Sequence, residues 1–343
     1  MSIGVVLVLT SAVSARVRLS ETGSTLLYPI LTVWIGRFAP THPNLRIDAA
    51  ASGSGAGVAS VISGRAQIGG SDAYLSDAQM KTNALEDIPL AVSAQEIDYN
   101  VPELRDQPPL HLSGAVLAGI YDGSIPNWDD PKIVALNPQS TLPHKPIRPI
   151  HRTDASGDTV LFTQYLALSI PARESAAEFG PLIHWPKKNP KALEGIGNGG
   201  VIETAYARYS IAYVGISYAE RAQAQGLQVA AVQNRSGAFV LPTTEATRAT
   251  AQAMAGAVPN DGRLSMIDTA GTASYPLINF EYAIVMSNQR APGSAAALRD
   301  FLNWIVASDE GNDATLLASV HFAPLPERVR AIARRQISAI AGP

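Results

Sequence analysis

The chain reads as an α/β protein built around a parallel sheet. Three observations carry this. A unit of strand, polar turn and helix recurs three times between residues 16 and 76. Its apolar positions switch from strand alternation to helical spacing within each unit. Turns rich in Gly and Ser stand at the strand ends. In such sheets ligands gather at the carboxyl ends of the strands, so those turns are where a site is expected.

In the first unit, residues 16–19 form a short strand and 20–25 a polar turn. Leu27, Ile30, Leu31, Trp34, Ile35 and Phe38 then follow helical spacing. Pro29 falls in the first turn, where a missing N–H costs little, and Pro40 and Pro43 end the helix. The second unit has an alternating strand at 45–49, a glycine turn at 52–57, and a short helix marked by Val58, Val61 and Ile62 that stops at Gly64. The third has a strand at 66–68, a turn at 69–72 and a helix starting near Ser76.

The middle of the chain keeps the same grammar. Residues 115–120 read as helix and 127–131 as turn. A strand at 147–150 leads into His151-Arg152-Thr153-Asp154-Ala155-Ser156-Gly157-Asp158-Thr159, which opens an apolar helix. Residues 195–200 form a glycine-rich loop before a helix at 201–206, and 211–216 a buried strand. Towards the end come a strand at 277–285 and a helix at 295–305 with Leu298, Phe301, Leu302 and Ile305 on one face. A basic helix follows at 328–340.

Bulk composition narrows the function. With 343 residues, 46% hydrophobic and 16% charged, the chain suits about two compact domains rather than disorder. A formal charge of −3 with no basic run argues against nucleic acid as a partner. The absence of cysteine rules out a thiolate zinc site, a disulfide framework and a cysteine nucleophile. Histidines 42, 111, 144, 151, 184 and 321 lack ligand spacing, so neither metal nor cofactor is expected. Residues 3–9 are apolar and 11–15 small, like part of an export signal, although no Lys or Arg precedes Arg16. The run is too short to span a bilayer. A buried first strand is the alternative.

Several candidate sites are weak alone. Gly53–Gly57 is neither a dinucleotide fingerprint nor a Walker loop, and 195–200 reads as structural. Ser156, His151 and Asp154 suggest a nucleophile with a base, but there is no G-x-S-x-G elbow and His151 stands at a strand end. Asp72 alone is an ordinary cap, and Arg152 alone an ordinary ion-pair partner. Together, four strand-end turns offer Ser24-Thr25, Ser54, Asp72 and Arg152 with Ser156-Gly157-Asp158. Hydroxyls, helix-start N–H groups and an arginine suit an oxyanion, whereas the aspartates seem to oppose one.

The motifs Glu-Thr-Gly-Ser-Thr-Leu-Leu-Tyr-Pro, Gly-Ser-Gly-Ala-Gly, Gly-Ser-Asp-Ala-Tyr-Leu-Ser, Trp-Asp-Asp-Pro-Lys-Ile, Leu-Asn-Pro and Arg-Thr-Asp-Ala-Ser-Gly-Asp-Thr occur in this order. As a set, over residues 19–326, they resemble the phosphate-binding proteins of phosphate-specific ABC transporters, nearest to the actinobacterial branch. The resemblance implies a type II periplasmic-binding-protein fold, with two α/β lobes joined by two hinge strands and the ligand cleft between them. Lobe I would be residues 16–92 plus 277–343 and lobe II residues 93–276, with 1–15 a partial signal-like segment. The hinge crossings are expected near 90–97 and 275–279.

Carried over by motif, the implied phosphate contacts are Ser24, Thr25, the Leu26 backbone N–H, Ser54 and Asp72 from one lobe. Arg152, Ser156, Gly157 and Asp158 come from the other. Asp154 is expected to hold the Arg152 guanidinium. Asp158 stands where much of the family has threonine; it either accepts a second ligand proton or caps its helix. The implied function is capture of mono- and dibasic phosphate outside the cytoplasm and delivery to ABC permease subunits. A monomer with no catalytic residue is expected. Members of that branch are often lipoproteins, but a cysteine-linked lipid is excluded in this sequence. The alternatives are a serine-dependent phosphohydrolase, a binding protein for another tetrahedral oxyanion such as sulfate, and a sensor that keeps the fold.

Overall fold

The computed structural model describes residues 16–170, 179–186 and 190–343. The signal-like segment 1–15 lies outside them. The chain opens with β1 (Val17–Gly23), α1 (Tyr28–Phe38), β2 (Leu45–Ala51), α2 (Ser54–Ile62), β3 (Ile68–Ser71), α3 (Asp77–Asn83) and the 15-residue β4 (Leu85–Tyr99). Next come β5 (His111–Leu112), α4 (Gly114–Asp122), α5 (Pro131–Leu136), β6 (Arg148–Arg152), α6 (Gly157–Ser169), β7 (Leu193–Gly195), α7 (Gly197–Ala205) and β8 (Ser210–Gly215). The rest is α8 (Ala219–Ala224), β9 (Gln228–Val229), β10 (Ala231–Gln233), β11 (Phe239–Val240), α9 (Thr244–Met254), β12 (Ile278–Met286), α10 (Ser294–Val306), α11 (Ala314–Ala318) and α12 (Glu327–Ala339).

The main sheet runs β2-β1-β3-β12-β4-β8-β6-β7, with β9 beside β4. Its two flanks are parallel, as the repeated unit predicts: β1 with β2 and β3, and β6 with β7 and β8. The centre of the sheet is antiparallel. β12 is antiparallel to both β3 and β4, and β4 is antiparallel to β8. The cause is β4, which at ~3.3 Å per residue is about 50 Å long. Residues 85–94 of β4 pair with β12, and residues 95–99 pair with β8. One strand therefore stitches the first parallel group to the second.

Helix α1 buries Ile30, Leu31, Trp34 and Phe38, and the Trp34 indole donates to the Gly311 carbonyl at 2.8 Å. α10 buries Leu298, Phe301, Leu302 and Ile305, and α12 buries Val329, Ile332, Ala333 and Ile337. These faces share one core with β4 and β12, and a smaller cluster joins Ile150, Val201, Ile202, Ala212 and Val214.

Four expected turns are shorter than the glycines suggest. Ser20 to Gly23 continue β1, Gly69 and Gly70 belong to β3, and α2 and α7 begin at Ser54 and Gly197. The glycines serve close packing instead. A Cβ on Gly57 would lie 2.6 Å from the Thr22 carbonyl oxygen, so α2 can rest on β1 only with glycine there.

Several carboxyls are buried in this frame. Burial pushes Glu21 up to about 8 against backbone hydrogen bonds at Gly70 and Ala50. It also pushes Asp87 up to about 8, although the Leu75 N–H donates to Asp87 Oδ2 at 2.6 Å. An unfolded carboxyl loses its proton near pH ~4, whereas these two keep theirs in the folded chain. Their contribution to stability is thus full below about pH 4 and is lost as pH rises towards about 8. Urea unfolding should show lower stability at pH 8 than at pH 5, by up to about 1.4 kcal/mol per group per pH unit. Asp87→Asn keeps an oxygen for the Leu75 N–H and should flatten this slope; a midpoint that rises with pH would contradict neutral burial.

Candidate functional site

The site forms where the carboxyl ends of β1, β3 and β6 meet the first turns of α2, α6 and α7. At the end of β1, the Leu27 N–H donates to Ser24 Oγ at 2.9 Å, and the Ser24 hydroxyl donates to the Asp72 carboxylate. Ser54 opens α2, and its hydroxyl donates to Asp72 Oδ2 at 3.0 Å. Asp72 follows β3 and is 1% exposed. Thr25 Oγ1 accepts from the Asn198 N–H at 3.2 Å and from Asn198 Nδ2 at 2.9 Å. Leu26 is fully buried, and its carbonyl accepts from Ser217 Oγ at 2.7 Å.

Arg152 ends β6 and is buried. Its Nη1 donates to Asp158 Oδ2 at 2.7 Å, its Nε to Asp154 Oδ1 at 2.6 Å, and its Nη2 to the other Asp154 oxygen. The Tyr213 hydroxyl accepts the Arg152 N–H at 3.0 Å. Ser156 is the N-cap of α6 and its Oγ lies 3.5 Å from Asp158 Oδ2. Asp158, in the first turn of α6, also accepts from Asn198 Nδ2 at 2.9 Å and from Gln95 Nε2 at 3.3 Å. A carboxylate there also gains from the helix dipole.

Gly157 decides how closely the two groups of strands approach. A Cβ there would lie 2.6 Å from Asp72 Oδ2 and 2.8 Å from Ser54 Oγ. Nearby, the Gly55 N–H donates to the Ala155 carbonyl at 3.0 Å. A cleft of about 480 Å³ opens beside this contact, with Val58, Val160, Leu161 and Tyr282 among its walls.

The charges differ in state. Burial raises Asp72, as does the Asp158 charge, against the hydroxyls of Ser24 and Ser54. Burial also raises Asp158, opposed by Arg152, Asn198 and Gln95. Burial works on Asp154 too, but its bonds to Arg152 and to the Gly197 N–H hold it below the usual carboxylate range. Asp154 thus neutralises Arg152 from behind and fixes its plane.

The structure brings together Ser24, Thr25, Ser54, Asp72, Arg152, Ser156, Gly157 and Asp158, with Leu26 adjoining and Asp154 behind. It does not assemble a Ser156–His151–Asp154 relay. His151 stacks on Trp185 with ring centroids 5.5 Å apart, and Asp154 is engaged with Arg152. Sequence reasoning missed Asn198, because the glycines around it suggested a plain loop. Its side chain bridges Thr25 and Asp158, and its Oδ1 accepts the Gly215 N–H at 2.7 Å. An amide at the strand-end start of a helix, as at Ser54, was the available signal. Gln95, on the connecting strand β4, carried none.

A profile of the PBP superfamily domain matches residues 10–310. The phosphate-binding protein PstS of Methanocaldococcus jannaschii is 34% identical over 93% of this chain and 85% of its own. The chain belongs to the PstS family. PstS3 of Mycobacterium bovis is 28% identical over 94% of this chain and 86% of its own. The likeness therefore spans archaeal and actinobacterial members and supports the family rather than a branch. A phosphate-binding protein of Stenotrophomonas maltophilia superposes with a TM-score of 0.68 at 19% identity, covering 93% of each chain. A periplasmic phosphate-binding protein called PfluDING gives 0.72 at 20%, again over 93% of each. The fold is the α/β periplasmic-binding-protein fold.

Gly157→Ala should hold α6 away from Asp72 and loosen the Gly55–Ala155 contact. Amide hydrogen exchange at Gly55 and Asn198 should then speed up about tenfold, equivalent to ~1.4 kcal/mol of lost local protection. Unchanged exchange would show that the contact tolerates a methyl group.

Proposed function

We propose that this PstS-family chain is an extracytoplasmic binding protein that captures inorganic phosphate, mono- and dibasic, and delivers it to ABC permease subunits. The observation that carries this is the pairing of a buried arginine with a buried acceptor carboxylate. Arg152 and three helix N-termini attract an oxyanion, and Asp72 stands across Gly157 among hydroxyls. Near neutral pH phosphate keeps at least one proton and sulfate keeps none. A ligand O–H can donate to Asp72, whereas sulfate would present lone pairs to a buried anion with no donor between them. The carboxylates that seem to spoil an anion site thus make it count protons.

The proposed contacts are Ser24, Thr25, the Leu26 N–H, Ser54 and Asp72 on one side, and Arg152, Ser156, Gly157 and Asp158 on the other. Asp154 orients Arg152. Asp158 has an additional task, since it binds Arg152 and Asn198 directly. The ordered motifs support an assignment nearest to the actinobacterial branch, and the aspartate at 158 fits that branch.

We read residues 16–92 plus 277–343 as lobe I and 93–276 as lobe II. The exchange of β4 partners between Ala94 and Gln95 supports a crossing there, and β12 supplies the second. Closure would bury the ion among several charge-assisted bonds. Micromolar binding needs about −8 kcal/mol, within reach of such a set in a dry cleft. The protein binds and releases as a monomer without covalent chemistry. No helix among the described residues is long and apolar enough to cross a membrane.

Titration calorimetry with phosphate and sulfate tests this. The chain should bind phosphate and give no heat with sulfate. Asp72→Asn should weaken phosphate binding about tenfold or more and admit sulfate. Absence of phosphate binding by the unaltered chain would refute the function. Unchanged affinity with sulfate still excluded would refute the role of Asp72.

A further inference from the structure

Behind Asp72 lies a second carboxyl group that the binding mechanism has not used. Glu281 stands in β12 and is fully buried. In the antiparallel ladder Tyr282 faces Ser71, the last residue of β3, and Glu281 and Asp72 adjoin that pair on the two strands. Asn279 clamps the two: its Nδ2 donates to the Asp72 carbonyl at 2.8 Å and to Glu281 Oε1 at 3.0 Å. Ser93 from β4 donates to the same Oε1 at 2.5 Å. Oε1 therefore has two donors, whereas the buried Oε2 has none. The charged neighbour of the Glu281 carboxyl is Asp72, tied to it through the Asn279 amide.

Two neighbouring carboxylates away from water cannot both stay ionised without a large penalty. A proton on Glu281 Oε2 removes the penalty and the orphan atom together, because Oε2 then donates to Asp72. The reverse assignment is poorer. Asp72 already accepts from Ser24 on one oxygen and Ser54 on the other, which favours its anion. Each Asp72 oxygen keeps a further lone pair for Glu281 or for a ligand O–H.

We infer that Glu281 is a buried neutral acid that donates to Asp72, holds Asp72 as an anionic acceptor, and so determines phosphate-over-sulfate specificity without touching the ligand. The surrounding charges agree. Burial, then the Asp72 charge, raises Glu281, while the Glu281 bond lowers Asp72. From α6 the Asp158 charge raises Asp72, and Arg152 of β6 offsets Asp158. β4 contributes the neutral Ser93, and Glu21 of β1 is engaged by backbone at Gly70 and Ala50. Glu281 is a positioning residue. Its role in selectivity rests on the phosphate-binding reading, but its protonation does not.

Two variants separate the donor from the packing. Glu281→Gln keeps a neutral donor, and phosphate affinity should stay within about threefold with sulfate still excluded. Glu281→Met removes the donor, so Asp72 should take up a proton at higher pH than before. Relative to the unaltered chain, phosphate affinity should fall about tenfold at pH 6 and recover by about pH 8.5, with sulfate binding gained at the lower pH. Affinity profiles for Glu281→Met that run parallel to the unaltered chain would overturn the inference. Should that variant fail to fold, infrared difference spectra of the unaltered chain against Glu281→Gln at pH 7 decide. A protonated-carboxyl stretch lost on substitution is expected, and its absence overturns the assignment. If the unaltered chain binds no phosphate, the functional reading fails while the infrared result still reports the Glu281 proton.

Discussion

The Arg152 guanidinium, buried between Asp154 and Asp158, is the constraint on which the rest of the site depends. A buried arginine is tolerable only when its donors are matched in direction and charge. Asp154 takes the outer edge and Asp158 the inner one. That arrangement leaves Asp158 to be held by Asn198 and Gln95, and Asn198 to be held by Thr25 and Gly215. At the site the two strand groups therefore meet through a continuous polar network. Water can replace each bond of such a contact.

The frame around this network is built for close approach. Gly57 lets α2 lie on β1, and Gly157 lets α6 reach Asp72. Helix starts then converge on one small volume, and their N–H groups offset carboxylate charge that would otherwise be prohibitive. The long β4 supplies rigidity along one axis, since it pairs with strands of both groups. It also brings Ser93 to Glu281 and Gln95 to Asp158 from opposite ends of one short run. A frame that buries Glu21 and Asp87 as neutral acids has reduced stability at high pH.

How much could be read beforehand varies by element. α1 and α10 were plain, because Trp34, Phe38, Leu298 and Phe301 fall at helical spacing on single buried faces. The glycine segments were read as longer turns than they are. Glycine marks both positive φ and close packing, and the chain alone does not distinguish the two. The parallel flanks followed from the repeated unit, whereas the antiparallel centre depends on β12 returning from far along the chain. Ser24, Thr25, Ser54, Asp72 and Arg152 were legible because each stands at a strand end before a helix. Asn198 was hidden among glycines, and Glu281 in an apolar strand that looked like core.

Local chemistry along the chain was enough to specify the strand-turn-helix units, the residues at their junctions and the kind of ion those residues suit. These follow from short-range rules of periodicity, capping and helix dipoles. The proton inventory of the site was settled elsewhere. Whether Asp72, Asp158 and Glu281 are acids or anions depends on burial and on partners up to 209 residues away, as with Asp72 and Glu281. Desolvation and Coulomb interaction act through space, so they appear only when the fold has brought those positions together.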